Sequence, residues 1–100
     1  MRKHLYLRFE TEYLNGEGAQ GVYINWVHIP PAHNDGVTTD KEFIEVCQET
    51  QVPIFKEAGL NLKKVTLQRT REFEYQLYKR ANKERVNYHE EKMRQSGWKV

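Results

Sequence analysis

Cysteine and serine are almost absent from this chain of 100 residues, which contains only Cys47 and Ser96. A single cysteine cannot form an intramolecular disulfide, and this favours a reducing compartment, by default the cytoplasm. Cys47 lies on the apolar side of a predicted helix, where a free thiol usually packs in the core. Ser96 follows the last predicted helix, in a segment that we expect to fray, which disfavours a serine nucleophile.

Aspartate is also scarce, and both examples have structural explanations, Asp35 in a turn and Asp40 at a helix start. This disfavours the clustered carboxylates of a metal-dependent nuclease. No pair among the soft ligands has the spacing of a known zinc motif. These ligands are His28, His33, His89 and Cys47. We therefore predict no metal ion and no cofactor.

Long apolar runs are absent, since no stretch approaches 18 consecutive apolar residues. The N-terminal residues 1–13 start basic but contain no continuous apolar segment, unlike a signal peptide. Aromatic residues make up 12% of the chain, which supplies bulk for a core despite 30% charged residues. We expect a single domain over residues 1–100 with one core and no membrane partner.

Charge is unevenly distributed, although the net charge is only +2. Residues 1–62 carry five Lys/Arg and nine Asp/Glu, a balance of −4, whereas residues 63–100 carry eleven Lys/Arg and five Glu, a balance of +6. Such asymmetry indicates either a charged partner, two halves that face each other, or two copies that dock head to tail.

Two β-strands are predicted in the first third of the chain. Residues 4–14 alternate between apolar and polar side chains, the period of a half-buried strand. Residues 22–29 are largely β-branched or aromatic and follow a Gly-rich loop that starts at Asn15-Gly16. The second strand is apolar on both faces, so part of one face needs a cover. The following loop, the C-terminal helix or another molecule could supply it.

A helix is predicted from about Asp40 to Thr50, after the strand-ending Pro30-Pro31. Thr39 and Glu42 have the spacing of a capping box. Pro53 is expected to interrupt this helix and to start a further short turn, which Gly59 closes.

Residues 60–69 are ambiguous, because they alternate like an edge strand but could also begin the C-terminal helix. We favour the strand, which gives the order ββαβα. The third strand then lies beside the first and antiparallel to it. The predicted fold is a small α+β domain with a three-stranded, mostly antiparallel sheet, helices on one face and a long C-terminal helix.

The segment from Thr70 to about Gln95 contains neither proline nor glycine and is rich in helix formers, so it predicts one long helix capped by Thr70. At about 1.5 Å per residue this helix would span roughly 39 Å and overhang the body. It has two apolar stripes. We assign Phe73, Leu77 and Ala81 to the core, which leaves the stripe that contains Tyr75 exposed.

The leading functional hypothesis is a non-enzymatic inhibitor or adaptor that docks on a protein partner or on itself as a homodimer. Tyrosine and methionine are enriched at interfaces, which favours the spare stripe as the docking surface, extended by Tyr23, Trp26 and the loop from His28 to His33. Half-exposed tyrosines with their hydroxyls in water are the alternative. The predicted partner-binding residues are Tyr75, Tyr78, Lys79, Asn82, Val86, His89 and Met93.

Nucleic-acid binding is the alternative function, because residues 63–85 contain eight Lys/Arg and the chain has aromatic groups for stacking. The sequence pI of about 8.7 and the spread of these charges around the helix weigh against it. The candidate residues are Lys63, Lys64, Arg69, Arg71, Lys79, Arg80, Lys83 and Arg85.

An enzyme is the third hypothesis, since Glu10 and Glu12 share one face of the first strand with Arg8. A solvated outer strand face explains this row more simply. His28 and His33 are the other side chains that such a site could use. We predict no catalytic residues and no small-molecule substrate.

Overall fold

A computed structural model describes residues 3–31 and 38–95. The strands and helices follow one another as β1 (Leu5–Leu14), β2 (Gln20–Ile29), α1 (Asp40–Glu57), β3 (Asn61–Thr70), α2 (Glu72–Ala81) and α3 (Lys83–Gln95). The three strands form one antiparallel sheet in the order β2-β1-β3. This confirms the predicted α+β fold and the position of the third strand beside the first.

The hairpin between β1 and β2 forms where the sequence predicts it. The Asn15 side-chain oxygen accepts hydrogen bonds from the backbone N–H groups of Glu17 and Ala19, both at 2.9 Å. Gly18 has a φ of +82°, a backbone conformation that residues other than glycine rarely adopt. The turn sets the register in which Leu7 lies opposite Val27, with both side chains in the core.

The first helix begins as predicted, with the Thr39 hydroxyl accepting a hydrogen bond from the Glu42 N–H. The predicted interruption at Pro53 is wrong, because α1 runs through Pro53 to Glu57. Pro53 is exposed, so the backbone carbonyl that it leaves without an N–H partner can turn towards water. Buried side chains on both sides of the proline, Gln51 and Phe55, hold the two halves of the helix on the sheet.

A short polar network lies inside the core between α1 and the sheet. The Thr11 hydroxyl donates to Gln51 Oε1 at 2.5 Å, and Gln51 Nε2 donates to Asn25 Oδ1 at 3.0 Å. All three side chains are buried, and hydrogen bonding removes the penalty of burying them. This network fixes the position of α1 along the strands.

The C-terminal segment differs from the predicted single long helix. Thr70 is not the helix cap, because it ends β3, where its hydroxyl donates to the Tyr6 carbonyl at 2.9 Å. The helical segment is divided at Asn82, whose backbone leaves the helical conformation and whose side-chain N–H donates to the Tyr78 carbonyl at 3.1 Å. Asparagine competes with the helical hydrogen bonds in this way, which explains why the break falls there.

The break lets the two short helices pack on both sides of strand β2. Helix α3 contributes Met93 to the same core cluster as α1, on the face that carries Leu7. Helix α2 contacts the opposite face, where the Tyr75 ring lies 5.3 Å from that of Tyr6. The predicted placement of the helices on one face therefore holds for α1 and α3, whereas α2 lies on the other face and supplies the cover that β2 requires there. None of the helices in the described residues is long and apolar enough to cross a membrane.

Candidate protein-binding surface

The two stripes of the C-terminal helical segment are exchanged relative to the prediction. Tyr75, Val86, His89 and Met93 are only 0–3% exposed. Phe73 and Leu77, which were assigned to the core, are 59% and 58% exposed. The expectation that the Tyr75 stripe forms an exposed surface is therefore wrong. The other three predicted partner-binding residues are partly buried, namely Tyr78, Lys79 and Asn82.

Tyr78 anchors the end of α2 on β2. Its ring stacks on Trp26 with a centroid separation of 5.3 Å, and its hydroxyl donates to the Ile24 carbonyl at 3.1 Å. The Trp26 and Ile24 side chains belong to the apolar face of β2 that needed a cover. Both tyrosines of α2 thus serve the fold, with their hydroxyls bonded inside the protein.

Glu90 joins α2, α3 and β2 through one carboxylate oxygen. This oxygen accepts hydrogen bonds from the Tyr75 hydroxyl at 2.9 Å and from the His28 backbone N–H at 2.6 Å. Lys79 Nζ lies 4.0 Å from the other oxygen. Burial, together with the adjacent Glu90 charge, raises the pKa of Tyr75 far above its ordinary value, so its hydroxyl stays a donor. The cluster thus provides a hydrogen-bond acceptor for the His28 N–H on the outer edge of β2.

A stack of imidazole and phenol rings lies next to this carboxylate. The His28 ring is 4.8 Å from the Tyr6 ring, and its Nε2 atom is hydrogen-bonded to Nδ1 of His4 at 2.9 Å. Burial lowers the pKa of His28, which favours neutral imidazole in this stack. The Pro-Pro loop that leads to His33 lies largely outside the described residues.

His89 is the buried imidazole of α3. It is hydrogen-bonded through Nε2 to the Tyr23 hydroxyl. Its pKa is lowered to about 4, mainly by burial and to a lesser extent by the positive charge of Arg85. A neutral, buried and satisfied imidazole fits a packing role better than a docking role.

The outer face of α2 carries the two most exposed large apolar side chains among the described residues, Phe73 and Leu77. Phe73 and Leu77 are four residues apart and thus lie side by side on this face. They line an open depression on the protein surface, which we call the α2 surface. Its lining residues are Arg71, Glu72, Phe73, Gln76, Leu77 and Arg80.

The charges of α2 are segregated along the helix axis. Glu72 and Glu74 lie in its first turn, and Lys79 and Arg80 lie in its last turn. The side chains at each end therefore carry a charge opposite in sign to that end of the helix dipole, which stabilises the helix. Among the described residues, neither Glu72 nor Arg80 forms a salt bridge, so both charges are available to a partner.

The basic residues proposed for nucleic-acid binding do not converge on one surface. Arg69 pairs with Asp40 at 2.6 Å, and the Arg85 guanidinium lies 5.1 Å above the Tyr23 ring. Lys63 and Lys64 lie on β3, while Lys79 lies by β2 at the opposite edge of the sheet. Arg71, Arg80 and Lys83 are exposed. Nucleic-acid binding remains a prediction that these positions do not favour.

The side chains considered for catalysis or metal binding are engaged elsewhere. Glu10 pairs with Arg8 at 3.0 Å, and Glu12 accepts a hydrogen bond from Gln20 at 3.3 Å. Cys47 is buried, and burial raises its pKa to about 12. In residues 3–31 and 38–95, no group of three or more His, Cys, Asp or Glu side chains is placed to hold a metal ion.

Sequence reasoning missed the α2 surface, although the chain contained one signal for it. In the second half of the segment, the stripe with Tyr75 continues through Val86 and Met93, whereas the stripe with Phe73 and Leu77 continues only through Tyr88. A longer stripe can bury more apolar area against the sheet.

Comparison with models of known protein families, with curated proteins and with solved structures finds no significant match to this chain.

Proposed function

We propose that this chain is a small non-enzymatic binding module that docks on a protein through the α2 surface. An inhibitor or adaptor acts in this way, and the single cysteine favours a reducing compartment such as the cytoplasm. The observation that carries the proposal is the pair Phe73 and Leu77, both more than half exposed on one face of α2.

The apolar pair is notable because α2 has no need of it for its own attachment. Tyr75 and Tyr78 hold the helix on the sheet from the other side. Polar side chains at positions 73 and 77 would leave these contacts intact and would be better hydrated. Large apolar residues surrounded by charged ones are typical of a docking surface, where partner contact removes them from water.

The anchoring of α2 also favours binding. A helix that is held by two aromatic contacts and two hydroxyl hydrogen bonds presents its outer face in a fixed geometry. The surface then loses little conformational entropy when a partner docks, and more of the contact energy contributes to affinity.

Affinity capture followed by calorimetry tests the proposal with three forms of the chain. The wild type is compared with Leu77→Asp and with Val52→Asp, a matched control because Val52 is 47% exposed on the unrelated helix α1. A captured protein is accepted as the partner only if, once purified, it binds the wild type directly. We expect Leu77→Asp to weaken this binding by on the order of 30-fold and Val52→Asp to leave it unchanged.

Equal binding by all three forms would refute docking through the α2 surface.

A fluorescence-anisotropy titration with mixed-sequence DNA and RNA at low and high salt addresses the alternative function, nucleic-acid binding. Phosphate contacts would be indicated by binding that falls steeply with salt and that is weakened by Lys79→Glu combined with Lys83→Glu. Nucleic-acid binding would then replace protein docking as the favoured function.

A further inference from the structure

We infer that the protein which fits the α2 surface is a second copy of this chain, with the two α2 helices packed antiparallel about a two-fold axis at Gln76. The inference rests on the proposed function and specifies its partner. It is based on the charge layout of α2 and on the spacing of its exposed apolar side chains.

The charge layout of α2 complements itself when one copy is reversed. Glu72 and Arg80 are each four residues from Gln76, so Glu72 of one copy lies level with Arg80 of the other. The pairing occurs twice because the interface is two-fold symmetric. A parallel arrangement would instead bring like charges together at both ends. The antiparallel arrangement also aligns the two helix dipoles favourably.

The apolar side chains interdigitate in the same register. Leu77 of the second copy lies level with Tyr75 of the first, half-way along the axis between Phe73 and Leu77. Each leucine therefore enters the gap between the two apolar side chains of the other helix, as ridges enter grooves in helix packing. At about 100° per residue, Glu72 and Arg80 lie on the same side of Phe73, so the charged pairs flank one side of this seam.

The size of the surface predicts a weak dimer. Helix α2 has 10 residues and is about 15 Å long, so a pair of such helices buries less than the roughly 1,200 Å² of small stable interfaces. We expect a dissociation constant on the order of 100 µM, which is characteristic of a reversible association.

Sedimentation equilibrium of the full chain from about 10 µM to 1 mM tests the dimer, a range set by the expected affinity. We expect the wild type to become dimeric over this range and Leu77→Asp to stay monomeric, while Val52→Asp behaves like the wild type. The single changes Arg80→Glu and Glu72→Arg each create two like-charge contacts and should weaken the dimer roughly tenfold. The double change Glu72→Arg with Arg80→Glu restores opposite charges and should recover the wild-type association.

The double charge exchange is the decisive comparison, because a helix that is merely destabilised would not recover. Circular dichroism of each variant establishes that it is folded. A wild-type chain that is monomeric up to 1 mM, a dimer that Leu77→Asp leaves intact, or a double exchange no stronger than the single ones would each overturn the inference. A monomeric wild type that still binds another protein, and loses it on Leu77→Asp, would overturn only the self-association and leave the proposed function standing.

Discussion

His89 shows how burial fixes the charge of a single residue. Its imidazole is 3% exposed, lies against Tyr23 and has a pKa of about 4, compared with an ordinary value of 6.5. Between these two values the unfolded chain binds a proton that the folded chain does not bind. The free energy of unfolding must therefore fall as the pH is lowered from 6.5 to 4.

We expect His89 to account for a loss of about 3 kcal/mol of stability over this interval, since each unit of pKa difference corresponds to about 1.4 kcal/mol. Urea unfolding at a series of pH values measures it, with His89→Gln as the comparison because an amide can keep the hydrogen bond to Tyr23. The variant should lose less stability on acidification. Burial also lowers the pKa of His28, which contributes to the pH dependence of both proteins alike. Parallel pH profiles for the two proteins would contradict this account.

At the scale of elements, two short helices are attached to one edge strand from opposite sides. Helix α2 covers the Trp26 face of β2, and α3 reaches the core face. The Glu90 carboxylate connects them, because it accepts hydrogen bonds from α2 and from the backbone of β2. A buried carboxylate that serves two donors makes this junction sensitive to one substitution.

Replacement of Glu90 by alanine should lower the free energy of unfolding by about 3 kcal/mol, because it leaves the Tyr75 hydroxyl and the His28 N–H without an acceptor. Glu90→Gln should cost only about 1 kcal/mol, since its carbonyl oxygen can take the place of the oxygen that accepts both bonds. Equilibrium urea unfolding at neutral pH measures both values. Equal losses for the two variants would show that the hydrogen bonds to this oxygen do not determine the stability of the junction.

At the scale of the whole molecule, the sheet carries packed side chains on both faces, and α2 is attached by few residues. Trp26 reports on this attachment because its ring stacks on Tyr78. We expect α2 to unfold together with the core, since the helix is joined through Tyr75 and Glu90 to α3, which contributes Met93 to the core cluster.

Trp26 fluorescence and far-ultraviolet circular dichroism should therefore give coincident urea transitions. The measurement uses a chain with Trp98→Phe, so that Trp26 is the only tryptophan. A fluorescence transition at lower urea than the circular dichroism transition would instead mean that α2 separates from the sheet first and forms an independent unit.

The sequence by itself determined the type of most elements. Alternation of apolar and polar residues is a local property, and it correctly predicted β1, β2 and the less certain β3. Thr39 correctly marked the start of α1, because a helix cap depends on the residue at one position. Gly59, which was predicted to close a separate short turn, follows the end of α1 in a left-handed conformation. The strand order followed from these elements and from the rules for connecting them.

Only the tertiary structure decided which stripe of the C-terminal segment is buried. Both stripes are apolar, so the choice depends on what each one meets, and β1 and β2 offered aromatic and backbone partners that suit Tyr75 and Tyr78. The continuation of α1 through Pro53 has the same cause, because packing on the sheet outweighs the local preference of proline. At Asn82 the local preference and the packing agree, since the asparagine side chain competes with the helical hydrogen bonds where α2 and α3 separate to the two sides of β2. The surface proposed for docking is what remains exposed after those contacts form, and local sequence patterns do not specify those contacts.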